Sequence, residues 1–301
     1  MSRALRQIVK APLYNGAEAI NHGVARVARA VLAVGSRSGL LPAPPLAVSA
    51  GEWARAEGLQ RIAVLAPHPD DETLGLGATL AGLSVAGVEI LVIVVTDGGA
   101  SRAPLIRDKT APERAAFRMR EHRAALQSLG AGIQSFGPLV AEQHGWETTA
   151  EFSRVGAAII ERLREFGPQI LCSTPPFDFH PDHRAVAAIA RNAAQELGAE
   201  KCRHFYYESQ APFRGFSPTR WLVADSAAKI ARAGAINAYP SQQGTLQAAC
   251  RISRMRATMA GERMPVETLL EAKHFDRRTR PLKRGITARP FLDWQVFMHR
   301  T

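Results

Sequence analysis

The chain has 301 residues, 46% of them hydrophobic and 22% charged, which is enough for a packed core and excludes global disorder and fibrous classes. Charge is the departure: 38 Lys+Arg against 27 Asp+Glu give +11 at pH 7, favouring an anionic partner (nucleic acid, an acidic lipid surface or a phosphorylated substrate) without choosing among them. Cys172, Cys202 and Cys250 lie far apart, which argues against a disulfide scaffold or a cysteine zinc knuckle.

Residues 1–55 read as a basic, partly helical extension. The first 50 hold six basic residues (Arg3, Arg6, Lys10, Arg26, Arg29, Arg37) against Glu18 alone. Ile20, Val24, Val27, Val31 and Val34 recur at helical spacing, so this stretch either packs on the main domain or touches a membrane surface or partner. Residues 56–250 read as the core. Ile62–Ala66 is an expected strand, Thr73 to about Ala86 a helix, and Glu89–Thr96 the clearest buried strand. Thr110-Ala-Pro-Glu113 joins a capping box to a first-turn proline and opens a helix to Gly130. Thr148–Glu151 repeats the signature and opens a helix ending at Gly167-Pro168. A strand at Gln169–Thr174, a helix from near His183, strands at Phe205–Glu208 and Trp221–Ala224, and a helix capped by Asp225 follow. Residues 251–301 read as an irregular basic segment packing on the core, with ten Lys/Arg and four acids between Arg251 and Arg284. Alternating strands and helices predict an α/β fold with a mostly parallel sheet covered on both faces, whose ligands bind at the strands' carboxyl ends.

Two elements sit at such ends. The first strand runs into His68-Pro69-Asp70-Asp71-Glu72, and Gln169–Thr174 leads into His180-Pro181-Asp182-His183. Proline makes each a stiff bend between strand and helix. His68 and Asp71, three apart, can converge on one ion, and one ligand from the second element completes a three-ligand catalytic site. Asp70 is then a candidate base, and one histidine of the second pair is free as acid or oxyanion stabiliser. Helix capping alone explains a lone Asp-Asp-Glu, but not two His-Pro-Asp elements at two sheet ends.

The segment Val64 to Gly75 (VLAPHPDDETLG) resembles the signature of the PIG-L/LmbE-like zinc N-deacetylases, and His180-Pro-Asp-His183 is similar to their second motif. Arg118-x-x-Glu121 and Tyr239-Pro-Ser-Gln242 resemble further recurring segments. The resemblance spans roughly residues 60–245 and implies a Rossmann-like core and removal of acetyl groups from N-acetylglucosamine-type glycoconjugates. It implies zinc held by His68, Asp71 and His183, with Asp70 as general base. His180, protonated, would stabilise the oxyanion or donate to the leaving amine, with Asp182 orienting it and Glu72 hydrogen bonding behind the site. Arg118, Arg102 and Arg107 are candidate substrate contacts, since arginine suits oxyanions. Loops 97–111, 136–149 and 209–219 are expected to set specificity. His/Asp sites also accept iron, manganese or cobalt.

The rival readings are a hydrolase of another N-acyl or ester substrate and, less favoured, a basic nucleic-acid-binding protein, for which no module is present. No run reaches the roughly 18 apolar residues of a membrane span, and a secretory signal is not expected, because no continuous apolar stretch follows Arg3, Arg6 and Lys10. The expected location is cytoplasmic, with peripheral membrane contact as an added expectation. The basic excess lies largely in the two terminal segments, which points to an anionic lipid- or nucleotide-linked sugar, or to a membrane surface.

Overall fold

The structure, a computed structural model, describes residues 46–276 except 143–144, 211 and 214–217. The expected helix at Ala17–Val34 lies outside the described residues. Strands are β1 Val48–Ser49, β2 Arg61–Ala66, β3 Glu89–Val94, β4 Gln134–Phe136, β5 Ile170–Ser173, β6 Arg203–Tyr207, β7 Arg220–Val223 and β8 Val266–Glu271. Helices are α1 Ala50–Glu57, α2 Asp71–Val85, α3 Ala111–Leu129, α4 Ala150–Phe166, α5 Pro181–Leu197, α6 Ser226–Asn237, α7 Gln243–Ala260 and α8 Ala272–Asp276. The strands form one sheet in the order β1-β7-β8-β6-β5-β2-β3-β4, parallel except for β8, which runs antiparallel to both neighbours.

The runs RIAVLA and EILVIV are apolar at every position but the first because the sheet is buried on both faces. Ile62, Val64, Ile90 and Val92 join α2, α3 and α6 in one core, with Leu76, Leu80 and Leu83. The intervening Ala63, Leu65, Leu91 and Ile93 face α4 and α5, meeting Val155, Ile159, Val186 and Ile189. Thr110 N and Oγ1 donate to Glu113 at 2.8 and 2.7 Å, and the Asp225 carboxylate accepts from Ala228 N at 2.8 Å, so these two expected caps form, whereas at the third start Thr149 in place of Thr148 caps α4, accepting from Glu151 N at 3.2 Å. Among the described residues no helix is long and apolar enough to cross a membrane.

One expectation is corrected. Residues 251–276 are not irregular: they hold most of α7 and the fully buried strand β8, which lies inside the sheet between β6 and β7. The core therefore continues to at least Glu271.

The chain leaves β2 outward to β3 and β4, then returns as β5 on β2's other side. That reversal leaves a crevice above the carboxyl ends of β2 and β5, where open α/β sheets bind ligands.

Candidate metal centre

Both histidine–aspartate elements open into this crevice. His68 follows β2, Asp71 is the first residue of α2, and His183 lies in the first turn of α5. His68 Nδ1 lies 3.2 Å from Asp71 Oδ2 and 3.3 Å from His183 Nε2, and His183 Nε2 lies 3.2 Å from Asp71 Oδ2. Ligand bonds of about 2.0–2.1 Å give a tetrahedron with edges of about 3.3 Å. The three donor atoms are thus spaced as one edge-sharing face of a zinc-sized tetrahedron.

The opposite ring nitrogens are held as well. His68 Nε2 lies 3.0 Å from Asp182 Oδ2, and His183 Nδ1 lies 3.0 Å from Asp178 Oδ2. A carboxylate behind each imidazole fixes its tautomer and leaves the inner nitrogen's lone pair for an ion. Asp178 carries no motif signal. Its one clue is its place in the loop from β5 to His183, since a ligating histidine needs an acceptor behind it.

Asp71 is fully buried and Asp70 nearly so; Asp70 Oδ1 and Asp71 Oδ1 are buried with no partner. Burial works against the His183 imidazolium, yet the Asp71 charge and the Asp178 bond raise its pKa to about 9. Burial likewise opposes charge on His68, and bonds to Asp182 and Asp71 outweigh it. Burial would raise Asp71, but the His183 charge and bond hold it well below the usual carboxylate range. The cluster demands positive charge, and the orphaned oxygens leave room for more than protons supply. His, His and carboxylate are a donor set that fits zinc or a neighbouring divalent transition metal.

Asp70 Oδ2 accepts from Arg118 Nη2 at 2.9 Å. Burial raises its carboxyl to about 6, against the lowering charge of Arg118. Arg118 itself is 2% exposed and also bonds Glu121 and Pro69 O, so the residue expected as a substrate contact lies inside, with its two terminal nitrogens on Asp70, Pro69 and Glu121. Arg102 and Arg107 stay exposed on the loop after β3, where Arg107 pairs with Asp108 at 3.6 Å.

His180, its side chain 34% exposed, caps α5 and accepts at Nδ1 from Asp182 N at 3.3 Å. Burial, then the charges of His68 and His183, lower its pKa to about 4. Nδ1 accepts, so the proton of the neutral ring sits on Nε2, and the lowered pKa favours that form over the expected imidazolium. Asp182 Oδ2 is 3.8 Å from His180 Nδ1, and its two oxygens serve His68 Nε2 and Trp146 Nε1, each at 3.0 Å. Its expected partner, His180, is replaced by His68. Glu72 accepts from Tyr239 and Thr73 at 2.9 Å and faces His122 Nδ1 at 3.3 Å, the hydrogen-bonding place expected for it. Glu142, in the loop after β4, brings Oε1 to 3.6 Å from His68 Nε2; a lone acid outside any motif gave no signal. Ligand atoms of His68, His180 and His183, and of His68, Glu142 and Asp182, also cluster within 4.8 Å.

Residues 63–194 match the family described as PIG-L, GlcNAc-PI de-N-acetylase. A 1D-myo-inositol 2-acetamido-2-deoxy-alpha-D-glucopyranoside deacetylase of Streptomyces griseus is 30% identical over 175 residues, covering 51% of this chain and 52% of that protein. The chain thus spans about half the length of the curated relatives it matches. The solved N,N'-diacetylchitobiose deacetylase of Pyrococcus horikoshii aligns with TM-score 0.55 and 18% identity, over 76% of this chain and 90% of that one. The 4-carboxy-2-hydroxymuconate hydratase GalB of Pseudomonas putida KT2440 aligns with TM-score 0.56 and 17% identity, over 76% and 100%. At these identities the likeness is one of fold, a fold shared by a deacetylase and a hydratase. The sequence match over 63–194 takes in both histidine–aspartate elements, so the chain is similar to the PIG-L family across the whole candidate site.

Proposed function

We propose that the chain is a zinc-dependent N-deacetylase that frees the amine of an N-acetylglucosamine-type conjugate. The observation that carries this reading is the triad of donor atoms 3.2–3.3 Å apart, with the unpartnered oxygen of Asp70 beside it. The activities for which the relatives are named support the substrate class.

His68, Asp71 and His183 would hold the metal, with Asp178 and Asp182 orienting the imidazoles. When bound, such an ion polarises an acyl carbonyl and acidifies water at neutral pH. Asp70 takes one proton from the attacking water at its free Oδ1 while Arg118 holds Oδ2. The neutral His180 donates its Nε2 proton as a hydrogen bond to the oxygen on which charge develops. Asp70, now a carboxylic acid, returns its proton to the departing nitrogen, so amide and water leave as acetic acid and amine, and the acid's proton passes to the amine to give acetate and ammonium. The basic excess outside the matched residues supports an acidic acceptor, lipid- or nucleotide-linked.

Metal analysis joined to an acetate-release screen tests the proposal. N-acetylglucosamine conjugates are compared with other N-acyl amides and esters. Expected are about one divalent ion per chain and release from the sugar amides, with Asp70→Asn keeping the metal and losing turnover by about 10²–10⁴-fold. A chain that binds no ion and releases no acetate after zinc loading would overturn it.

A further inference from the structure

The Tyr239-Pro-Ser-Gln242 turn lies far in sequence from the first histidine element and well past the second, yet it reaches the base through buried bonds. Ser241 N and Oγ donate to the two oxygens of Glu121 at 2.8 and 2.6 Å. Glu121 Oε2 accepts from Arg118 Nη1 at 3.1 Å, and Arg118 Nη2 donates to Asp70 Oδ2 at 2.9 Å and to Pro69 O at 2.6 Å. Ser241, Glu121, Arg118 and Asp70 are each at most 6% exposed. The guanidinium also sits 5.6 Å over the Tyr239 ring. On the outer side, Gln242 Nε2 donates to Ser241 Oγ at 3.0 Å and to Ser101 Oγ at 3.2 Å, in the loop after β3.

We infer that Ser241 is a positioning residue for the reaction: through Glu121 it fixes the rotation of the Arg118 guanidinium, which turns Asp70 so that Oδ1 faces the crevice. The inference rests on Asp70 being the base. Physical economy favours it. A carboxylate held on one oxygen by a guanidinium still rotates with that guanidinium unless the far side is anchored. Glu121 is that anchor, and Ser241 occupies both of its oxygens. A misplaced base loses rate steeply, because proton transfer needs hydrogen-bond reach.

The test is a double-mutant cycle in the full metal-loaded chain. Ser241→Ala lowers kcat by about tenfold, with KM and metal content unchanged, and Ser241→Thr, which keeps the hydroxyl, restores it. Arg118→Met lowers kcat by about 10²-fold, and in that background Ser241→Ala costs less than about twofold more. Full additivity, or a loss in KM alone, would overturn the relay. A second readout needs no turnover: NMR of the Arg118 side chain shows slowed guanidinium rotation in the wild type and fast rotation in Ser241→Ala. Unchanged rotation overturns the inference even if Arg118→Met fails to fold. Absence of acetate release from the wild type, with guanidinium rotation still released in Ser241→Ala, counts against the base role and the proposed activity, leaving the Ser241–Arg118 coupling in place.

Discussion

His68 and His183 each divide their two nitrogens between the crevice and a carboxylate, Asp182 and Asp178 respectively. In the proposed metal site this division gives the two acids a part in holding the ion, although neither carries a donor atom of the triad. Asp182→Asn and Asp178→Asn should each weaken metal affinity by about 10–100-fold, measured by competition with a chelator. The result discriminates between two roles for Asp182. Were it chiefly the partner of His180, Asp182→Asn would lower kcat at saturating metal and leave the affinity alone. Trp146 strengthens the first outcome, since its indole donates to the other oxygen of Asp182 and holds the carboxylate against His68.

Helix α2 carries Asp71 and Glu72 on its first turn, and its middle is spliced to the C-terminal half of the chain. Glu267 of β8 accepts from the backbone N–H of Ala78 and Thr79 at 2.9 and 2.8 Å. Arg232 of α6 lies 2.9 Å from Glu267 and donates to Leu74 O at 3.4 Å. A buried ion pair thus ties the Leu74 carbonyl to the Ala78 and Thr79 amides of one helical turn. Glu267→Ala should destabilise by about 3–5 kcal/mol in urea titrations, because it strands the Arg232 charge. Pairing it with Arg232→Met should cost less than the two single changes summed; additive losses would show that the residues act separately. This splice also explains why β8 escaped the sequence reading while β2, β3 and β5 did not. Parallel strands buried on both faces show as apolar runs, but VETLLE places Glu267 and Thr268 in the interior, where partners distant in sequence satisfy them. The short β4 likewise has little apolar content to betray it. The donor triad was legible because its histidines and aspartate sit in two stiff local motifs. Asp178, Glu142 and the buried state of Arg118 depend on contacts between separate elements, which no local pattern carries.

The molecule's basic excess lies in its terminal segments, yet the response of its fold to acid is set inside the sheet. His204 of β6 is buried and bonds Ser173 of β5 through Nε2 at 2.8 Å, with Nδ1 buried and without a partner. Burial first, and then the charge of Arg191, depress its pKa to about 3, whereas an unfolded histidine titrates near 6.5. Between these values the unfolded chain takes up a proton that the folded chain refuses. The stability contributed by the neutral imidazole is therefore present above about pH 6.5 and drains away as pH falls toward 3, by up to about 1.4 kcal/mol per unit. His204→Gln keeps a neutral hydrogen-bonding group with no such proton to bind. Wild type should exceed the variant in urea midpoint at pH 7.5, and the gap should narrow steadily through pH 6, 5 and 4. Processes common to both chains, including protonation of the carboxylates and release of any metal, cancel in that difference. Parallel stability curves across the same range would mean that His204 takes up its proton in place, and that the β5–β6 interior is open to water where the structure has it closed.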